Sequence, residues 1–301
     1  MEHGQSKQQV RSPGGADAAT GPALACAAAR ARAFSIDGLE LHGLEWPADG
    51  PPVLLLHGGA AHAHWFDPVV PALRGRYHLV SLDQRGHGLS GWPSPPAYRT
   101  EDFARDIAAV ADRLGWERFA LAGHSMGGHN AMAFAAWHPE RVSQLVIIDS
   151  RPAHPPDRLH HLRERGYRPL RRHATAAAAL ESFRLLPRET IAQPGVLEHL
   201  ARKGIIERDG AWLYRFDPAC NGTRQPVDAW TLLDRISAPT LIIRGELSPI
   251  LPREMAERMR GLIPRADMVE IAGSYHHVTL DVPDTLAGVL DRFLQQEVDR
   301  P

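Results

Sequence analysis

Cysteine is nearly absent from this chain: Cys26 and Cys220 are the two in 301 residues. Cys26 falls in a segment with almost no bulky hydrophobes, so a structural disulfide is not expected and a hydrophobic core must hold the fold. Neither sign of charge is in excess, with 34 Lys and Arg against 35 Asp and Glu. That balance gives no global field to attract nucleic acid or an anionic membrane surface. No apolar run is long enough to span a bilayer, so no membrane partner is expected. Internal repeats are missing, which excludes a solenoid. There are 17 histidines, yet His62 with His64, and His160 with His161, lack companions at zinc-like spacing, so no metal is expected. Nothing in the composition speaks to the oligomeric state.

Residues 1–32 are rich in Gly, Ala, Ser and Gln and read as a disordered tail. Ala16 to Ala29 is alanine-rich without the solid apolar stretch of a secretory leader, and a cytoplasmic protein is expected. The rest is long enough to bury a large core.

From residue 33 onward, strand-type and helix-type patterns alternate. Phe34 to Ile36 and Leu39 to Trp46 read as strands around Asp37-Gly38. Val53 to Leu56 and Phe119 to Ala122 are short apolar runs, as in strands buried on both faces, and Leu79 to Leu82 and Val142 to Ile148 also read as strands. Phe103, Ile107, Val110 and Leu114 mark one stripe of a helix. After Pro239 the pattern returns, with strands at Thr240 to Ile243 and Met268 to Ile271 and helices at Arg253 to Leu262 and Thr285 to Phe293. This alternation predicts an α/β fold: a mostly parallel twisted sheet with helices on both faces. Residues 33–150 and 237–301 would form that core. Between them, 151–236 loses the strand-type runs and gains Arg, His and Pro, and it reads as a helical insertion.

The densest chemistry lies at Gly123-His124-Ser125-Met126-Gly127-Gly128, between the Phe119 to Ala122 strand and a helix-forming alanine-rich stretch. Glycine on both sides of a serine at a strand-to-helix turn lifts the hydroxyl clear of the sheet. It also sets the next amide, that of Met126, at the positive end of a helix, where a developing oxyanion would be stabilised.

Four motifs in order resemble the α/β-hydrolase superfamily: His57-Gly58-Gly59, the loop Asp83 to Ser90, Gly123 to Gly128, and a histidine before the last helix. The resemblance covers roughly residues 33–150 and 237–297, and the intervening insertion stands where that fold carries its lid. It implies a nucleophile, an acid and a histidine in that chain order. Ser125 is the nucleophile. His276 takes the place of the base, five residues before Asp281 and seven before Pro283, with His277 as the alternative. The acid usually follows the Thr240 to Ile243 strand, three residues after a glycine. That position is Ser248 here, which departs from the pattern. Asp149, at the end of the preceding strand, is the favoured replacement, and Glu246 is the alternative. Gly59 and Met126 would give the two oxyanion amides.

Relatives that open epoxides or remove halogens carry aspartate at the elbow, so a serine points to acyl transfer through an acyl-enzyme. The reading is a carboxylesterase acting on a small or medium ester, with no cofactor. A diketone, lactone or thioester hydrolase would use the same residues. A non-catalytic small-molecule receptor would need only the pocket. Arg163, Arg165, Arg168, Arg171 and Arg172 cluster within the insertion. They read as a solvated helix face, unless one reaches the cleft to bind a substrate carboxylate.

Overall fold

The computed structural model describes residues 29–298. The chain opens with β1 (Arg30–Ile36), β2 (Leu39–Trp46), β3 (Pro52–Leu56) and β4 (His78–Asp83). It continues through α1 (Thr100–Leu114), β5 (Phe119–His124), α2 (Met126–Trp137) and β6 (Val142–Ile148). The strands form an eight-stranded sheet in the order β1-β2-β4-β3-β5-β6-β9-β10, where β9 is Thr240–Gly245 and β10 is Ala266–Ile271. The first two strands run antiparallel to their neighbours, and β4 onward is parallel.

The apolar runs explain this order. Val53 to Leu56 and Val146 to Ile148 are buried along their whole length because helices cover both sheet faces. Each such side chain contributes about 1.5–3 kcal/mol when fully buried. On one face, α1 lays Phe103, Ile107 and Val110 against the core, and Gly115 ends the helix in the left-handed region at φ 72°.

Between β6 and β9 the chain leaves the sheet. This segment carries α3 (Pro156–Gly166), α4 (Ala176–Glu181), α5 (Pro194–Lys203), β7 (Ile205–Arg208), β8 (Ala211–Tyr214) and α6 (Ala219–Gly222). It is therefore not wholly helical, as the sequence reading had it. Strands β7 and β8 pair antiparallel around Asp209-Gly210, both at positive φ. Asp-Gly is the sequence signal for such a two-residue turn, and only four residues flank it on each side. After β9 come α7 (Arg253–Leu262), α8 (Val278–Asp281) and α9 (Pro283–Val298).

The expected tail also needs correction where the structure describes it. Residues 30–32 belong to β1, paired with residues 43–45 of β2. Backbone pairing on a sheet edge holds these mostly exposed side chains in place, so their low hydrophobicity gave no sign of it. The remainder of that tail up to residue 28, Cys26 included, lies outside the described residues.

Many hydrogen bonds join the insertion to the core, two of them made by histidines near the sheet edge. Asp67 Oδ2 accepts hydrogen bonds from His64 Nδ1 and from His199 Nε2 of α5, each at 2.8 Å. His277 Nε2 donates to the Pro187 carbonyl at 2.8 Å.

Candidate active site

Ser125 joins β5 to α2 at φ 53° and ψ −114°, a backbone conformation strained for any residue with a Cβ. Strain of this kind costs on the order of 1–3 kcal/mol and persists only where the surroundings over-determine it. Here they do. Ser125 N–H donates to the Ile148 carbonyl at 2.9 Å, and the Ser150 hydroxyl donates to the Ser125 carbonyl at 2.6 Å. The flanking glycines answer to crowding: a Cβ on Gly127 would stand 2.3 Å from the Leu56 carbonyl oxygen, and one on Gly123 would stand 2.3 Å from that of Gly127.

The turn after β10 brings His276 to the same edge of the sheet. Its Nε2 lies 3.1 Å from Ser125 Oγ, and its Nδ1 lies 2.8 Å from Asp149 Oδ1. Asp149 ends β6, also at positive φ, 43°. It is fully buried, and it accepts two further bonds, from the Ser248 hydroxyl to Oδ1 at 2.6 Å and from Gly245 N–H to Oδ2 at 2.8 Å. Ser248, the residue that breaks the expected pattern, thus serves the carboxylate on the neighbouring strand. Sequence reading identified it only as a missing acid.

The two alternatives point elsewhere. Glu246 is exposed, and its Oε2 accepts from Gly273 N–H at 2.8 Å. His277 is committed to Pro187. His124, which the sequence did not single out, is buried against His276: its Nε2–H donates to the His276 carbonyl at 2.9 Å, and the two rings stand 4.8 Å apart. It fixes the backbone that carries the imidazole.

Burial governs the electrostatics of this chain of groups. Desolvation, with His277, Arg158 and Arg151 nearby, holds the His276 imidazole well below its ordinary value. Desolvation pushes the Asp149 carboxyl up to about 7, opposed by the donors Ser248 and Gly245. Both shifts favour the uncharged forms, and because the groups share a hydrogen bond they titrate as a pair.

Ser125 and His276 open onto a cavity of about 450 Å³. Gly59 and Met126 line its wall beside Ser125, and the space at the missing Cβ of Gly59 faces Met126 at 3.8 Å. The insertion and the loop after β6 supply much of the remaining lining. Arg165, Arg168 and Arg171 belong to it, joined by Arg151, Arg158 and Arg224. Arg163 and Arg172 are spent on carbonyls, those of Arg224 and Asp209. The arginine cluster is therefore more than a solvated face. Arg151 and Arg224 went unnoticed in the sequence because they lie far from that cluster along the chain.

Asp83 ties its loop together, accepting from Ala63 N–H and Leu89 N–H. Trp65 and Phe66 fill core. Cys220 is buried, and desolvation pushes its thiol up to about 12, which makes it a poor nucleophile. Among the described residues one group has three ligand-type atoms close together, His64, Asp67 and His199, within 4.8 Å. It lies at the fastener between α5 and the core and lines no part of the cavity.

Known proteins resemble this chain in sequence and fold. A family model described as the alpha/beta hydrolase fold matches residues 51–185. A serine hydrolase-like protein of Danio rerio is 28% identical over 281 residues, covering 86% of this chain and 86% of its own. Esterase YbfF of Escherichia coli is 27% identical over 252 residues, covering 81% of this chain and 92% of its own. Among solved structures, E-2-(acetamidomethylene)succinate hydrolase superposes with a TM-score of 0.77 at 26% identity, covering 89% of this chain and 99% of that one. The chain belongs to the α/β-hydrolase superfamily and is one of its hydrolases.

Proposed function

We propose that this chain is a serine hydrolase that cleaves carboxylic esters of small or medium molecules through an acyl-enzyme. One observation carries the reading: the unbroken sequence of contacts Ser125 Oγ, His276 Nε2, His276 Nδ1 and Asp149 Oδ1, at 3.1 and 2.8 Å. A serine hydroxyl is a weak nucleophile near neutral pH and needs a base within this reach.

The substrate carbonyl sits over Ser125 with its oxygen toward the amides of Met126 and Gly59. His276 Nε2 takes the hydroxyl proton as Oγ attacks, and Asp149 holds Nδ1–H and stabilises the imidazolium that forms. The tetrahedral oxyanion is held by the two amides, each such donor being worth about 3–4 kcal/mol in the barrier. Collapse expels the alcohol, which receives the proton from His276. Water activated by the same imidazole then releases the acid and restores Ser125. The mechanism calls on no cofactor. In this assignment the acid has migrated from the β9 loop to the end of β6, and Ser248 supports it from the vacated position.

The test is turnover of short-chain p-nitrophenyl esters with Ser125→Ala. Hydrolysis is expected to fall by at least about 10⁴-fold with unfolding behaviour retained. A variant that hydrolyses esters at the native rate ends the proposal. If the native protein cleaves diketones or lactones but no acyclic ester, the nucleophile stands and the ester assignment is replaced.

A further inference from the structure

The cavity beside Ser125 is lined by six arginines and by no aspartate or glutamate, in a chain whose formal net charge is −1. None of the six forms an ion pair with a carboxylate among the described residues. Exposed arginines need no partner. Arg224 is different: it is 5% exposed, and its Nη2 is buried without a hydrogen-bond acceptor. Burying an unpaired cation is costly, and proteins seldom retain one without a counter-charge.

The groups around Arg224 offer it none. His129 and His154 are close enough to be disfavoured as cations by its charge. Each also keeps a buried ring nitrogen unpartnered, Nε2 of His129 and Nδ1 of His154. Arg151, 9% exposed, spends one guanidinium nitrogen on the Ile250 carbonyl and leaves Nε without a partner. This part of the lining therefore collects hydrogen-bonding capacity and positive charge with nothing among the described residues to satisfy them. A guanidinium presents its N–H groups as a planar fork that matches a carboxylate.

Resting on the esterase reading above, we infer that this wall is an anion subsite: the substrate is a carboxylate-bearing ester whose free carboxylate docks on Arg224, flanked by His129, His154 and Arg151. Arg158, Arg165, Arg168 and Arg171 surround the same cavity and draw the anion in from solution.

The test uses two matched ester pairs: monoethyl glutarate against ethyl valerate, which puts the carboxylate on the acyl side, and 4-acetoxybutyrate against butyl acetate, which puts it on the alcohol side. The native protein is expected to prefer the charged member of at least one pair in kcat/KM. In Arg224→Gln the preference ratio should fall by about 30- to 100-fold, the loss typical of a buried charge-assisted contact, and Arg224→Lys should restore part of it. Glutarate binding is measured by calorimetry on the native protein and on Ser125→Ala, with pentane-1,5-diol as the neutral control. This arm needs no arginine variant to fold. Binding of glutarate but not the diol, insensitive to Ser125→Ala, is the supporting result. If the native protein hydrolyses the neutral esters at least as well as both charged ones, or glutarate does not bind, the anion subsite is wrong and the hydrolase reading survives. If glutarate binds but no ester in the panel is turned over, the esterase reading fails and the subsite survives.

Discussion

The two walls of the cavity are built on opposite principles. On the Ser125 side the side chains of Ser125, His276 and Asp149 all have protein partners. Asp149 accepts three hydrogen bonds, His276 is held at both ring nitrogens and at its carbonyl, and Ser125 is pinned through N–H and C=O. Elsewhere in the lining, Arg224, Arg151 and His154 of the insertion and His129 of α2 each carry a nitrogen unpaired among the described residues. The first wall is complete without substrate, as preorganised catalysis requires, since its groups must not rearrange during the reaction. The second wall is incomplete by the same measure, and what it lacks describes what it is built to receive.

The comparison breaks most visibly at the acid. Asp149→Asn is expected to cost about 10³–10⁴-fold in kcat, because an amide cannot hold the imidazole in the required tautomer. Glu246→Gln should leave kcat within about twofold, since only an exposed bond to Gly273 is at stake. The reverse ranking, measured on one neutral ester, would move the acid to the β9 loop. A smaller effect is expected of Ser248→Ala, about tenfold in kcat, as it removes one of three donors from a buried carboxylate.

The incomplete wall makes the opposite prediction about stability. Replacing Arg224 by methionine removes a buried unpaired charge, and urea unfolding without ligand should show a gain of about 1–3 kcal/mol. A loss instead would mean that the guanidinium is already satisfied in the resting protein. The finest test is the acidic limb of the rate profile. His276 must be neutral to act as base, so activity falls as pH drops through the value of the His276–Asp149 pair. Arg158 depresses the imidazole, so Arg158→Gln should move the limb of a neutral ester upward by a few tenths of a pH unit at low salt, and less at high salt. A downward move would contradict the sign of that interaction.

Much of the nucleophile wall was legible in the sequence because it depends on local constraints. Gly123 and Gly127 are needed where backbones nearly touch, and a glycine-flanked serine after an apolar run carries that geometry in six letters. The bounds of β6 and α7 match the stretches read from the sequence, Val142 to Ile148 and Arg253 to Leu262. Arg224 was not legible, since its meaning depends on which residues fail to approach it, and one-dimensional spacing holds no record of a missing neighbour. The β7–β8 hairpin escaped for a different reason: four-residue strands are too short to establish a period. His124 and Ser248 were hidden because each acts through a residue more than 90 positions away, at His276 and Asp149 respectively.

The bond from His277 to Pro187 has a mechanical consequence. Pro187, in the roof of the cavity, is tethered one residue away from His276. Any displacement that lifts the roof to admit a molecule must either snap that tether or drag the imidazole's own loop with it. One hydrogen bond thereby links the position of Pro187, at the edge of the cavity, to the loop that presents His276 to Ser125.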